Sequence, residues 1–310
     1  MLIWRSFSEA RDKIKDSTAV SIGSYDGVHL GHQTVLLELN RLGQEHSLLT
    51  VVITFDEHPS VTVGHETSQL LIPLAYRLRL LAEIGIGAAL VLPFDNNLAA
   101  LESEAFVGRL CGDLRMHHIV VGYDFRFGAG GLGNAALLER LGAKQGFGVT
   151  QIPPVSSGAT VVSSTAIRWM LIAGDVKAAE RFLGRPFTVR GKVVHGEKIG
   201  RNLGFPTANI KLPPGAFWPR YGVYLVKASL EDGICVYGVA NVGVKPTFGK
   251  NDPVIEVYIL SYKGDLYNSE IDLGFLAFIR PERRFTDPMS LREQIYDDIR
   301  RAEELMADNA

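Results

Sequence analysis

Gly23-Ser24-Tyr25-Asp26-Gly27-Val28-His29-Leu30-Gly31-His32 follows the apolar run Thr18–Ile22 and leads into the periodic Val35-Leu36-Leu37-Glu38-Leu39. Apolar run, glycine-rich turn and helical periodicity predict strand, turn and helix in that order. Gly23, Gly27 and Gly31 let a phosphate approach the backbone closely, and the helix that follows aims free N–H groups and the positive end of its dipole at it. His29 and His32 lie three apart at the helix start, so their imidazoles are expected on one face, placed to donate charge-assisted hydrogen bonds to the same phosphate. Neither need be a nucleophile. A lone His at a helix start is more often a cap or a packed residue; two of them with three glycines and Asp26 at this spacing point to an anion site.

The chain of 310 residues is long enough for two domains at roughly 150 residues each. With 46% hydrophobic and 21% charged residues its composition is that of an ordinary globular protein. Thirty-two Lys and Arg against 34 Asp and Glu leave a formal charge of −2, which gives no support to a nucleic-acid partner. Cys111 and Cys235 lie far apart in sequence, which argues against a disulfide framework or a cysteine-ligated zinc site and for a reducing compartment. The amino end lacks a basic start with an apolar core, and no segment approaches the ~20 apolar residues of a membrane span. A cytoplasmic protein with no membrane partner is expected.

The first half alternates. Strand-like runs at 18–24, 48–55, 88–94, 118–123 and 149–152 are separated by helical patterns at 35–44, 74–84, 102–110 and 135–145, a βαβ series that predicts a parallel sheet with helices on both faces. Ligands of such sheets sit beyond the carboxyl ends of the strands, and the Gly/His turn, 54–59 and 122–128 all fall at those ends. From about Gly184 the texture changes to short β-like runs at 187–195, 221–230, 234–242, 254–261 and 271–280, then one helix at 291–306. That reads as a small antiparallel barrel with a closing helix. Helices at 165–173 and 176–183 would join the halves.

Thr54-Phe55-Asp56-Glu57-His58-Pro59 ends the second strand with a carboxylate, an imidazole and a rigid turn, although Asp and Pro commonly serve only to stop a strand. Gly122-Tyr123-Asp124-Phe125-Arg126-Phe127-Gly128 interleaves aromatics with one acid and one base. Either it packs as an aromatic loop, or it holds a flat heteroaromatic ring with Asp124 on the polar edge. Ser163-Ser164-Thr165-Ala166-Ile167-Arg168 opens a helix with hydroxyl caps, from which Arg168 can reach an oligophosphate over the N-terminus.

Taken together, these segments resemble, in order, the FAD synthetase half of bacterial bifunctional riboflavin kinase/FAD synthetases, with the HxGH signature of the nucleotidyltransferase superfamily at His29–His32. The resemblance implies a Rossmann-like nucleotidyltransferase domain over 1–184. In it the Gly23–His32 loop and Ser163, Ser164, Thr165 and Arg168 bind ATP phosphates, while His58, Asp124 and Phe125 line the flavin pocket. The FMN phosphate would attack the α-phosphorus of ATP, with catalysis by His29, His32, Arg168 and Mg²⁺ through positioning and electrostatics. Ser24-Tyr25 stand where many relatives have Asn-Phe, and Asn134 where an acid is common.

The second half carries Gly196-Glu197-Lys198-Ile199-Gly200-Arg201-Asn202-Leu203-Gly204-Phe205-Pro206-Thr207-Ala208-Asn209. Its glycine spacing fits neither a P-loop nor a dinucleotide fingerprint, and composition alone reads it as a hairpin turn. Leu203 to Asn209 resembles the flavokinase signature, as do Asn241–Phe248 and Glu256-Val257-Tyr258. The likeness implies a riboflavin kinase domain over 185–310: Thr207 and Asn209 on Mg²⁺ with the nucleotide phosphates, Gly200 and Arg201 facing those phosphates, and Glu256 as base for the ribityl hydroxyl. Tyr258 stands where relatives often have His. The expected partners are riboflavin, FMN and ATP, with FAD as product, in a monomer or weak homo-oligomer. Two alternatives stay open: one half is silent, or the chain is a flavin-binding regulator acting on RNA.

Overall fold

The computed structural model describes residues 1–56, 69–196, 204–230, 233–247, 250–260, 262 and 264–307. The chain divides into two compact units, Met1–Ser164 and Thr165–Ala310. His58, Gly200 and Arg201 lie outside the described residues.

In the first unit β1 (Leu2–Trp4), β2 (Thr18–Ile22), β3 (Leu49–Phe55), β4 (Ala88–Leu92), β5 (Met116–Gly122) and β6 (Gly148–Ile152) form one sheet in the order β1-β4-β3-β2-β5-β6. Every pairing in it is parallel, as expected from the alternating sequence. Strands β2 and β4 are buried at all five positions, which is why they read as continuous apolar runs rather than alternating ones. Helices α1 (Phe7–Lys13), α2 (Leu30–Glu45), α3 (Leu74–Glu83), α4 (Asn96–Ala99), α5 (Ser103–Leu114) and α6 (Ala135–Gln145) connect them. Phe7, Ala10, Phe106, Leu110 and Leu138 of α1, α5 and α6 share one core with Val20, Ile53 and Leu90 of the sheet. Because β3 lies on one side of β2 and β5 on the other, the turn after β2 sits at the topological switch point.

The sequence reading passes over β1 and α1. β1 has three residues, too few for a period, and lies at the sheet edge against β4. α1 did carry a signal, the S-x-x-E of a capping box: the Glu9 N–H donates to Ser6 Oγ at 3.1 Å, and Glu9 Oε2 accepts from the Arg5 N–H at 2.8 Å. A short hairpin, β7 (Ser156–Ser157) and β8 (Thr160–Val161), closes the unit.

The second unit begins with α7 (Ser164–Ala173), which starts at the last residue of the first unit, and α8 (Val176–Leu183). It continues as a closed barrel in the order β10-β13-β12-β11-β14-β9. Its strands are β9 (Phe187–Val194), β10 (Thr207–Lys211), β11 (Gly222–Ser229), β12 (Cys235–Thr247), β13 (Lys250–Ile259) and β14 (Glu270–Pro281). β10 corrects the hairpin-turn reading of composition: Thr207 and Asn209 are strand residues, paired to β9 and β13. Helix α9 (Pro288–Ala307) packs Ala302 against Val223, Leu225, Val239 and Ala277 of the barrel.

A bidentate ion pair fixes α9 to β14. Arg280 donates from Nε and Nη2 to the two oxygens of Asp298, each at 2.7 Å, and Gln294 Nε2 donates to Asp298 Oδ1 at 3.0 Å. The two charged side chains are only 13% and 5% exposed. Removing one partner of such a pair strands the other charge, at about 3–5 kcal/mol. Asp298→Ala is therefore expected to lower the urea concentration at which FMN formation is lost, while the urea dependence of FAD formation from FMN stays that of the parent.

Candidate functional sites

Each unit holds one constellation. In the first, the turn between β2 and α2 is backed by buried polar contacts. His29 is the N-cap of α2, and its Nδ1 accepts the His32 N–H at 3.3 Å. That bond uses the Nδ1 lone pair, so His29 carries its proton on Nε2 and remains a neutral donor there. The two imidazoles stack with centroids 3.6 Å apart and planes 16° off parallel. The common face expected from the spacing is thus present, and His29 combines the cap role with stacking on His32. A side chain at Gly31 would meet the His29 ring at 3.2 Å, so glycine is what lets the imidazole lie against the helix start.

Tyr25 meets His32 edge to face, centroids 5.2 Å apart. Its hydroxyl and Ser21 Oγ are 2.5 Å apart, and Ser21 Oγ donates to the Val120 carbonyl at 2.6 Å. The Ser21 proton being used there, Tyr25 donates to Ser21; burial pushes its hydroxyl pKa up and keeps it protonated. Tyr25, Gly27 and Val28 all hold positive φ, at 49°, 83° and 41°. Asp26 is fully buried: its Oδ1 accepts from the Ile72 N–H at 3.3 Å, and its carbonyl accepts from the Ser164 hydroxyl at 2.8 Å. The Gly23 N–H donates to the Ile53 carbonyl at 3.1 Å, tying the start of the turn to the sheet.

Arg77 of α3 was invisible in the sequence, where an Arg in an amphipathic helix reads as a solvated face. It is fully buried. Its Nη1 donates to the Ser24 carbonyl and to Thr54 Oγ1, and Thr54 Oγ1 in turn donates to Ser24 at 3.1 Å. Burial lowers the Arg77 pKa, against the attraction of the Asp26 and Asp56 carboxylates.

At the end of β5, beside β2 in the sheet, Asp124 is exposed. Phe125 stacks on Phe127, centroids 5.5 Å apart, and packs on the core. The aromatic that stands free there is Tyr123, 45% exposed. Asn134 caps α6 by accepting the Leu137 N–H at 3.0 Å. Ser163 and Ser164 are half-buried and Thr165 exposed; Arg168, half-buried, lies one turn along α7.

The second constellation is a row of side chains on the outer face of the barrel. Asn209 of β10 is the register partner of Glu256 of β13, and Asn241 of β12 is its partner on the other side. Thr207 pairs likewise with Tyr258. Directly opposed residues share a sheet face, so Thr207, Asn209, Asn241, Glu256 and Tyr258 line one surface, while Ile255 and Val257 between them point into the barrel. A cavity of about 440 Å³ opens over Thr207 and Asn209, flanked by Tyr258, Tyr262 and Tyr267. A side chain at Gly196 would collide with the Asn209 amide, which shows how closely that backbone covers it. Phe205 is buried between Tyr258 and Tyr296, with ring centroids 5.5 and 4.9 Å away. The row carries hydroxyl, amide and carboxylate oxygens, the ligand type a hard cation takes. Among the described residues no group of three His, Cys, Asp or Glu could hold a metal ion.

Residues 11–166 match the FAD synthetase family and residues 183–306 the riboflavin kinase family. The bifunctional riboflavin kinase/FMN adenylyltransferase of Pseudomonas fluorescens is 38% identical over 292 residues, covering 94% of this chain and 93% of that protein. Its namesake from Buchnera aphidicola subsp. Schizaphis graminum is 36% identical, covering 93% of both. A crystal structure described as a macrolide-efflux protein from Streptococcus pneumoniae superimposes with a TM-score of 0.89 at 28% identity, over 98% of this chain and 99% of that one. With both halves matched in order and relatives above 30% identity along nearly the whole length, the chain belongs to the family of bifunctional riboflavin kinase/FMN adenylyltransferases.

Proposed function

We propose that this chain makes FAD from riboflavin in two ATP-dependent steps, with the kinase over 185–310 and the adenylyltransferase over 1–184. The observation that carries the reading is the presence in one chain of the stacked His29–His32 pair on a helix start and of the Asn209–Glu256 row on the barrel. In the kinase, Glu256 takes the proton of the ribityl hydroxyl as its oxygen attacks the γ-phosphorus of ATP; a new O–P bond forms and ADP leaves with the electrons of the broken one. Thr207 and Asn209 offer two oxygens on one strand face, which suits Mg²⁺, a cation that takes few protein ligands and keeps waters. When bound, Mg²⁺ neutralises charge building on the phosphates. Gly200 and Arg201 are assigned to the same phosphates.

In the adenylyltransferase, a phosphate oxygen of FMN attacks the α-phosphorus of ATP; a new O–P bond forms and pyrophosphate leaves with the electrons of the broken one. The phosphates lie over the α2 start, held by His29 Nε2–H, His32, and the backbone at Gly27 and Gly31. Ser163, Ser164, Thr165 and Arg168 complete the clamp, and His58, Asp124 and Phe125 border the flavin. Asp26 and Gly23 act by holding the turn. Among the described residues no helix is long and apolar enough to cross a membrane, and Cys111 and Cys235 are free thiols; we assign the enzyme to the cytoplasm, as a monomer or weak homo-oligomer. Chromatography of the products from riboflavin with MgATP tests the whole reading: FMN then FAD are expected, and neither product would sink it.

Glu256→Gln keeps the shape but cannot take the proton, and is expected to slow FMN formation ~10²–10⁴-fold while supplied FMN still becomes FAD. A rate within threefold of the parent would move the base elsewhere. Thr207→Ala should instead raise the Mg²⁺ or nucleotide concentration needed.

His32→Ala removes one preorganised donor and is expected to slow FAD formation about a hundredfold, ~3 kcal/mol, with FMN formation unchanged. At position 29 cap and donor separate. His29→Asn keeps a good N-cap acceptor, so its melting temperature should match the parent, whereas His29→Ala loses about 1 kcal/mol. Both should slow FAD formation. Full activity in His29→Asn would reduce His29 to a cap.

A further inference from the structure

Arg77 has the largest of the fully buried side chains, and the roles assigned above leave it unused. Two of its nitrogens, Nε and Nη2, are enclosed and have no hydrogen-bond partner among the described residues. A buried donor left unsatisfied costs about 1–3 kcal/mol, so stability alone does not account for an arginine here. What Arg77 does hold is specific. One nitrogen, Nη1, donates to both the Ser24 carbonyl and the Thr54 hydroxyl, and that hydroxyl donates to the same carbonyl. The three groups form a closed triangle at the carboxyl ends of β2 and β3, where a parallel sheet places its ligand. Ser24 is the residue just before the positive-φ run at Tyr25, Gly27 and Val28. For a β-branched residue such as Val28 that conformation is held only by its surroundings.

We infer that Arg77 is a positioning residue for adenylyl transfer: through the Ser24 carbonyl and the Thr54 hydroxyl it locks the turn that presents His29 and His32. This rests on the adenylyltransferase assignment above. Arg77 need not touch ATP or FMN to act. A turn released from the Ser24 anchor shifts the His pair, and a misplacement on the order of 1 Å lowers a rate about a hundredfold. Lysine can reach the Ser24 carbonyl with an ammonium but cannot reproduce the planar fork, so it restores part of the function.

The test measures FAD formation from FMN and FMN formation from riboflavin on full-length Arg77→Met, Arg77→Lys and Thr54→Val, below their melting temperatures. Arg77→Met is expected to lower kcat for FAD about a hundredfold. Arg77→Lys should recover at least a tenth of the parental kcat, Thr54→Val should lose about tenfold, and FMN formation should be unchanged in all three. Should Arg77→Met fail to fold, Thr54→Val decides: tenfold loss supports the role, and an unchanged kcat overturns it. An Arg77→Met rate within threefold of the parent overturns it, as does Arg77→Lys no better than Arg77→Met, because volume rather than the cation would then matter. A parent that makes no FAD from FMN overturns the reaction assignment itself, and with it this role.

Discussion

The adenylyl end of the molecule depends on a turn that its own residues disfavour. Tyr25 and Val28 sit in left-handed backbone, at about 1–3 kcal/mol each, and the turn persists because the surroundings over-determine it. The Tyr25 hydroxyl is tied to Ser21, the Ser24 carbonyl to Arg77 and Thr54, the Asp26 carbonyl to Ser164, and the Val28 carbonyl to Gln33 Nε2 at 2.8 Å. These bonds draw on β2, β3, α3, α2 and the first residue of α7. The parallel sheet is the frame that brings those elements to one edge, and the strained turn is what the frame is built to hold.

The barrel solves the same problem without strain. Antiparallel register alone sets Asn209, Glu256 and Asn241 side by side on three neighbouring strands, because a shift of one residue would turn every one of them inward. Ile255 and Val257, buried in the barrel, fix that register from the other face. The row is therefore as stable as the core beneath it, and α9, clamped by Arg280 and Asp298, packs on the barrel that carries it.

The alternation of buried strands with amphipathic helices was legible because parallel strands covered on both faces are apolar throughout, and the barrel because its β-like runs follow one another with turn residues rather than helices between them. The helix boundaries were less so. α2 begins at Leu30, five residues before its apolar period, because His29 rather than a Ser or Asp is its cap. β10 was hidden since its five residues follow a glycine-rich stretch and show no alternation, with Asn209 itself buried on the outer face. At the sites, the His pair and the Asn209–Glu256 match lay in motifs, whereas Arg77 and the Tyr25–Ser21 link are long-range contacts of ordinary residues. That Phe125 stacks on Phe127 while Tyr123 is the more exposed ring is set by packing, which the aromatic spacing of 122–128 does not specify.

The stacked imidazoles also limit how much charge the turn can carry. His29 accepts a hydrogen bond at Nδ1, so protonating that nitrogen would break the cap of α2. With ring centroids 3.6 Å apart, a second positive charge would meet the first at on the order of 4 kcal/mol for an effective dielectric constant of 20. Two positive charges on the stacked pair are therefore disfavoured. The N–H groups and dipole of α2 add a positive field at the same helix start, present at any pH and needing no proton. The single cap bond at the start of α2 is what sets the two imidazoles apart: His29 is held in one tautomer by the bond it accepts at Nδ1, and His32 supplies the backbone N–H of that bond.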